Sequence, residues 1–175
     1  MAKKHKGLEL STVYALGAIV TALVAFFLMF APAASNSGGS FTGAQMAFGY
    51  SESGEVLGST VTVHILNFSF MNFLPYLLLL IGMAFSGLAA FGKLSKIAPF
   101  IAAACYLVAG VFLFCVIPFC SPSVNTSIGG IDDNYIKNFK DALSLGTGAI
   151  VAGIFALLSA LCSVCPFFIK MITKK

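Results

Sequence analysis

Phe73-Leu74-Pro75-Tyr76-Leu77-Leu78-Leu79-Leu80-Ile81-Gly82-Met83-Ala84-Phe85-Ser86-Gly87-Leu88-Ala89-Ala90-Phe91 is a run of 19 residues without a charge. At a rise of about 1.5 Å per residue, a helix of that length covers a hydrocarbon layer roughly 30 Å thick. A helix also satisfies its own backbone polar groups where no water can reach them. The apolar block from Leu77 to Ile81 lacks the alternation of a transmembrane barrel strand. Three more runs share its character: Leu10 to Ala34, Ile97 to Phe119 and Leu143 to Ile169. Together they predict an all-α integral membrane fold, a four-helix transmembrane bundle.

Composition agrees. Hydrophobic residues make up 59% of the 175 positions and charged residues 9%, and the mean hydropathy is +0.98. A water-soluble domain is about a quarter charged, and none of this size could hide so much apolar surface.

The lysines then orient the chain. All ten basic residues are lysine, and eight of them fall in three short segments: Lys3, Lys4 and Lys6; Lys93 and Lys96; Lys170, Lys174 and Lys175. Positive loops stay cytosolic, which predicts cytosolic tails at 1–9 and 170–175 and a cytosolic turn at 92–96. Three cytosolic segments require an even number of crossings, in agreement with four runs. A single membrane domain follows, with spans at 10–34, 73–91, 97–119 and 143–169 and outer loops at 35–72 and 120–142. The expected location is the plasma membrane. The net charge of +4 is then a topology signal; lipid headgroups are the expected partners of the lysines, and nucleic acid is not expected. The first run ends in Ala31-Pro32-Ala33, like a signal cleavage site, yet it is longer than the about 7–15 residues of a signal core. An uncleaved first helix is expected.

The first outer loop changes character along its length. Val61, Val63 and Ile65 alternate with Thr60, Thr62 and His64, a strand pattern. Ser51 to Gly54 reads as a turn, and Phe41 to Tyr50 as the partner strand. A lone hairpin is marginally stable in water, so a small outer β-hairpin or sheet should rest on the helix ends or on another chain. Phe41, Tyr50, Val61, Val63, His64 and Ile65 are accordingly the candidate partner-binding residues. Asn72 suits a helix cap and Pro75 an opening turn; Ser95 and Pro99 suit the start of the third helix. Asp132 and Asp133 open a short helix carrying Tyr135, Ile136 and Phe139 on one side.

Small residues recur four apart: Gly17, Thr21 and Ala25; Gly82, Ser86 and Ala90; Ala149 and Gly153. Helices in lipid associate by close approach, which small residues allow. With no tryptophan among 175 residues, the five tyrosines Tyr14, Tyr50, Tyr76, Tyr106 and Tyr135 are left to form the interfacial aromatic belt.

The layout of four spans, cytosolic termini and a long first outer loop with strand character resembles the claudin-like architecture of animal junction and accessory proteins. It is a resemblance of topology over the whole chain. Claudins carry a tryptophan-containing motif and two cysteines in that loop, whereas Ser35 to Asn72 has neither, so it lends no functional residue.

Chemistry is sparse. No ionisable residue lies mid-span, which disfavours a proton-coupled carrier; Glu9 sits at the cytosolic edge, unlike the embedded glutamate of small multidrug exporters. Cys162 and Cys165 form a CxxC, but the four-helix disulfide-generating enzymes keep their cysteine pairs at the outer face, and this pair is predicted near the cytosol. Cys115 and Cys120 flank Pro118 near the outer surface and are a candidate disulfide; Cys105 reads as packing. Asn67-Phe68-Ser69 and Asn125-Thr126-Ser127 match the glycosylation acceptor pattern. No metal site, cofactor or catalytic set is expected. The leading expectation is a non-enzymatic accessory, scaffold or adhesion-type protein that binds a partner through its first outer loop. An oligomeric channel or carrier using Thr21, Ser86, Ser144, Thr147 and Ser159, and a thiol-redox protein resting on Cys162 and Cys165, are the alternatives.

Overall fold

Pro32 decides where the first helix stops. A proline excludes the residue before it from the helical region, and Ala31 lies at φ −85°, ψ 161°. The computed structural model describes residues 10–56, 59–91, 97–123 and 133–172. In it α1 (Leu10–Phe27) tightens into a 3-10 turn (Leu28–Phe30) just before Ala31. The helix expected to reach Ala34 therefore ends early, and the chain enters strand β1 (Pro32–Asn36), paired antiparallel with β2 (Gly39–Thr42).

Thr42 then starts a helix where a strand was expected. Its hydroxyl accepts from the Gln45 N–H at 3.2 Å, and the Gln45 side chain accepts from the Thr42 N–H at 2.9 Å. This capping box makes Gly43–Phe48 the short helix α2. Gly49, at φ +95°, turns the chain out of it. Any side chain there would be strained, because a Cβ would also sit 2.8 Å from the Leu66 carbonyl oxygen. The hairpin partner of β4 (Ser59–Leu66) is thus β3 (Tyr50–Val56), and the Ser51–Gly54 segment read as a turn is strand.

Four longer helices follow the apolar runs: α1, α3 (Phe70–Ala90), α4 (Ala98–Phe114) and α6 (Thr147–Ile172). The short helix α5 (Asp133–Asp141) and the two-residue strand β5 (Ser144–Leu145) lie between α4 and α6. The fold is mostly helical, and Ser11–Phe30, Phe70–Ala90 and Thr147–Ile169 are each long and apolar enough to cross a membrane. α4 is apolar but shorter, at 17 residues. α1 packs on α3 and α6, and α4 packs on the same two helices.

One expected helix start moves. Ser69, not Asn72, caps α3, accepting from the Asn72 N–H at 3.3 Å. Asn72 turns inward instead, and its amide donates to the Met46 carbonyl at 3.3 Å. Pro75 consequently sits in the second turn, where its missing N–H costs the helix a bond. Pro99 does occupy the first turn of α4. Lys3, Lys4, Lys6, Glu9, Lys93, Ser95, Lys96, Asn125 to Ser127, Asp132, Lys174 and Lys175 lie outside the described residues.

Alanine lines the helix contacts. Ala15, Ala18, Ala22 and Ala25 along α1, Met29 in the 3-10 turn after it, and Ala149, Ala152, Ala156 and Ala160 along α6 are buried. The stripe from Ala15 to Met29 alternates steps of three and four, as a repeat of 3.6 requires, whereas strict steps of four back from Ala25 through Thr21 leave the face by Gly17. A Cβ on Gly17 would meet nothing within 4 Å. Gly82 and Gly153 are true contact points: a Cβ would lie 2.5 Å from the Tyr106 ring at Gly82 and 2.7 Å from the Phe114 ring at Gly153. Ser86 and Ala149 are buried and Ala90 is half-buried. Tyr76 and Tyr106 are buried too, so neither belongs to an interfacial belt.

The segments that join the helices at one end form a single cap. β1 pairs with both β2 and β5, so the loop before α6 completes a three-stranded sheet begun after α1. The Asn67 N–H donates to the Ser121 carbonyl at 2.8 Å and the Ser123 N–H to the Ile65 carbonyl at 2.9 Å. The Ser69 hydroxyl donates to the Phe119 carbonyl at 2.6 Å, and the Lys140 ammonium to the Pro118 carbonyl at 2.9 Å. Ala33, Ala34, Met46, Leu66, Val116, Cys120, Leu143 and Ala149 form the cap's own apolar core.

Gly153→Ala should destabilise the protein by about 1–3 kcal/mol, the cost of overpacking. Gly17→Ala should be neutral or stabilise by up to ~1 kcal/mol, as a helical glycine with open space predicts. Thermal unfolding in detergent checks both, and equal effects would contradict this packing.

Candidate functional site

The β3–β4 hairpin is rooted in the cap and free beyond it. At the root Leu66 is buried and Tyr50 and Ile65 are half-buried. The Tyr50 ring meets Phe41 edge-on at 6.1 Å between centroids, and Phe41 lies 6.3 Å from Phe139 of α5. From there outward Ser51 to Glu55 on β3, and Thr60, Thr62, Val63 and His64 on β4, are all exposed.

Alternation gives the hairpin one wholly polar face. Ser51 pairs with His64 and Ser53 with Thr62 in the register. Their side chains bridge the strands, Ser51 Oγ to His64 Nδ1 at 2.6 Å and Ser53 Oγ to Thr62 Oγ1 at 3.0 Å. Glu55 and Thr60 continue the row. Val63, opposite Glu52, lies on the other face and is 47% exposed.

The structure therefore divides the six residues expected to bind a partner. Phe41, Tyr50 and Ile65 pack in the cap; Val63 and His64 are exposed; Val61 holds a place in β4 opposite Gly54. Ser51, Glu52 and Ser53, read from sequence as part of a turn, supply the exposed strand together with Glu55.

The polar residues in the long helices are engaged with one another. Thr21 and Ser159 meet across α1 and α6 at 2.7 Å, and Ser86 meets the Tyr106 hydroxyl across α3 and α4 at 3.1 Å. One of the Thr21 and Ser159 hydroxyls donates to the other, and the remaining proton goes to a carbonyl one turn back, Gly17 from Thr21 at 2.9 Å or Phe155 from Ser159 at 2.8 Å. Ser144 bonds Ser35 across the cap sheet at 3.0 Å, while Thr147 is exposed at the start of α6.

All five cysteines are free thiols, so Cys115 and Cys120 form no disulfide. Cys120 faces into the cap core, while Cys115 is half-buried in the turn that ends α4. Cys162 and Cys165 are half-buried on α6. Among the described residues no three His, Cys, Asp or Glu side chains gather as metal ligands.

No protein-family model matches this chain, and neither does any curated protein. The hairpin stands as the candidate site on its geometry.

Burial pushes the Cys120 thiol up to about 11, against a smaller opposing pull from the Lys140 ammonium. The thiolate is the reactive form, so Cys120 should resist alkylation at neutral pH and label faster as pH rises toward that value. In denaturant, where the thiol regains its ordinary acidity, labelling at pH 8 should be at least about a hundredfold faster. Mass spectrometry of the 120-containing peptide reads both, and rapid native labelling at pH 7 would contradict the burial.

Proposed function

We propose that the chain is a four-pass protein of the plasma membrane, non-enzymatic, that presents the β3–β4 hairpin on the outer side to a protein partner. The hairpin carries this reading. A two-stranded ribbon exposed on both faces buries little of its own and is marginal alone, yet here the cap holds it clear of the helices. A scaffold that spends Phe41, Tyr50, Leu66 and Phe139 on fixing a solvent-exposed ribbon fits an accessory or adhesion role.

The membrane topology draws on separate support. The 17 residues of α4 rise about 26 Å, and the apolar turn from Cys115 to Phe119 lengthens the path across a bilayer. Four crossings put the lysine-rich segments 1–9, 92–96 and 170–175 together on the cytosolic side and the cap outside, in accord with the positive-inside rule. The channel alternative is disfavoured because the hydroxyls of Thr21, Ser86 and Ser159 bond within the chain instead of facing a lumen. A thiol-redox role for Cys162 and Cys165 rests on their CxxC spacing.

The test replaces Ser51–His64 with a short Gly-Ser linker, which leaves Phe41, Met46, Tyr50 and Leu66 in the cap. Chemical crosslinking in native membranes, followed by mass spectrometry, should show a partner that disappears in the variant while expression and thermal stability persist. An unchanged crosslinking profile would refute the hairpin as the binding element.

A further inference from the structure

β3 is an edge strand: among the described residues its single strand neighbour is β4. The register fixes which of its backbone groups are free. Val56 and Ser59 are partners with two residues between them, a spacing that a hydrogen-bonded pair alone can close. Bonded and non-bonded pairs alternate along an antiparallel ladder. Gly54 with Val61 and Glu52 with Val63 are then bonded pairs, and Glu55 with Thr60, Ser53 with Thr62 and Ser51 with His64 are not. The side-chain bridges at 2.6 and 3.0 Å fall at two of these non-bonded pairs, where side chains approach most closely. The N–H and C=O groups of Ser51, Ser53 and Glu55 consequently point away from β4, and all three residues are exposed. Alternate residues that each offer a donor and an acceptor are a template for one more strand.

Charge selects the strand that fits. Glu52 and Glu55 lie on opposite faces of β3, and no lysine or arginine occurs from residue 7 to residue 92. A second copy of β3 would bring four carboxylates into one short ladder, and like charges across strands repel. A basic strand meets the same edge favourably.

Building on the partner-binding role of the hairpin, we propose that the Ser51–Glu55 edge takes up an extended basic segment of the partner protein by strand addition. In an antiparallel arrangement the residue two before the one facing Ser53 lies against Glu55, and the residue one after it lies against Glu52. The preferred segment therefore carries two lysines or arginines three residues apart, one directed to each face.

The full-length protein in nanodiscs, titrated with the labelled peptide Thr-Lys-Val-Thr-Lys-Thr and its counterpart Thr-Glu-Val-Thr-Glu-Thr, tests this by fluorescence anisotropy. The lysine peptide should bind at least about tenfold more tightly, with the difference shrinking at high salt. Glu52→Lys combined with Glu55→Lys, at exposed positions, should reverse the preference. Ser53→Pro removes an outward N–H and no bond to β4, and should weaken the lysine peptide at least about tenfold. Equal binding of the two peptides, or a preference unmoved by charge reversal, would overturn the proposal. If the Gly-Ser replacement abolishes partner crosslinking while charge reversal and Ser53→Pro leave it intact, the hairpin still binds the partner but this edge is not how.

Discussion

The Gly146 N–H donates to the Ala33 carbonyl at 2.8 Å, and the rest of the cap depends on that seam. It joins β1, just past α1, to the residues that open α6, so two loops more than a hundred residues apart in sequence become one sheet. The approach is close enough to dictate composition. A Cβ on Gly146 would collide with the Pro32 carbonyl oxygen, and one on Gly148 would lie 2.8 Å from the Ala31 Cβ. Buried backbone groups must be paired, and this pairing closes the floor on which Met46, Leu66, Val116 and Cys120 pack. The hairpin inherits its position from that floor through Tyr50 and Leu66.

Below the cap the helices meet by a different means. Where lipid offers no hydrophobic drive between helices, contact depends on close approach. The alanines of α1 and α6 supply it, and Thr21 with Ser159 adds a polar clasp in the same interface. On the other side Tyr106 lies across Gly82 and hydrogen-bonds Ser86 one turn along α3, so one side chain sets both the spacing and the register of α3 against α4. Exposed apolar side chains such as Val20, Phe27, Leu107 and Leu161 cover the outward faces.

Much of the helical plan was legible because apolar runs are a long-range signal that averages over many residues. The helix ends were not, because each is decided by one or two local interactions. Pro32 ended the 3-10 turn that closes the first helix at Phe30, four residues before the end of the apolar run, and Ser69 capped α3 ahead of Asn72. The Thr42–Gln45 capping box turned an apparent strand into α2, and the same four-residue pattern could have been read. The β3 strand hid among Ser, Glu and Gly because neither face is buried, so no apolar alternation marked it. The contact stripe on α1 was missed because alanine was given less weight than glycine. The seam between β1 and β5 has no local signature, since Ser144-Leu145 becomes strand through a partner far away in sequence.

The hairpin has a defined place because the cap places it, and hydrogen exchange at single-residue resolution on the protein in nanodiscs tests that claim most directly. The amides of Gly146, Asn67 and Ser123, which cross-link the loops, should exchange as slowly as those of the helix termini they adjoin. The outward amides of Ser51, Ser53 and Glu55 should exchange fast, with Glu52 and Gly54 between them slower. Uniformly rapid exchange from Ala31 to Ser69, with no protection at Gly146, would contradict a folded cap and leave the hairpin without a support.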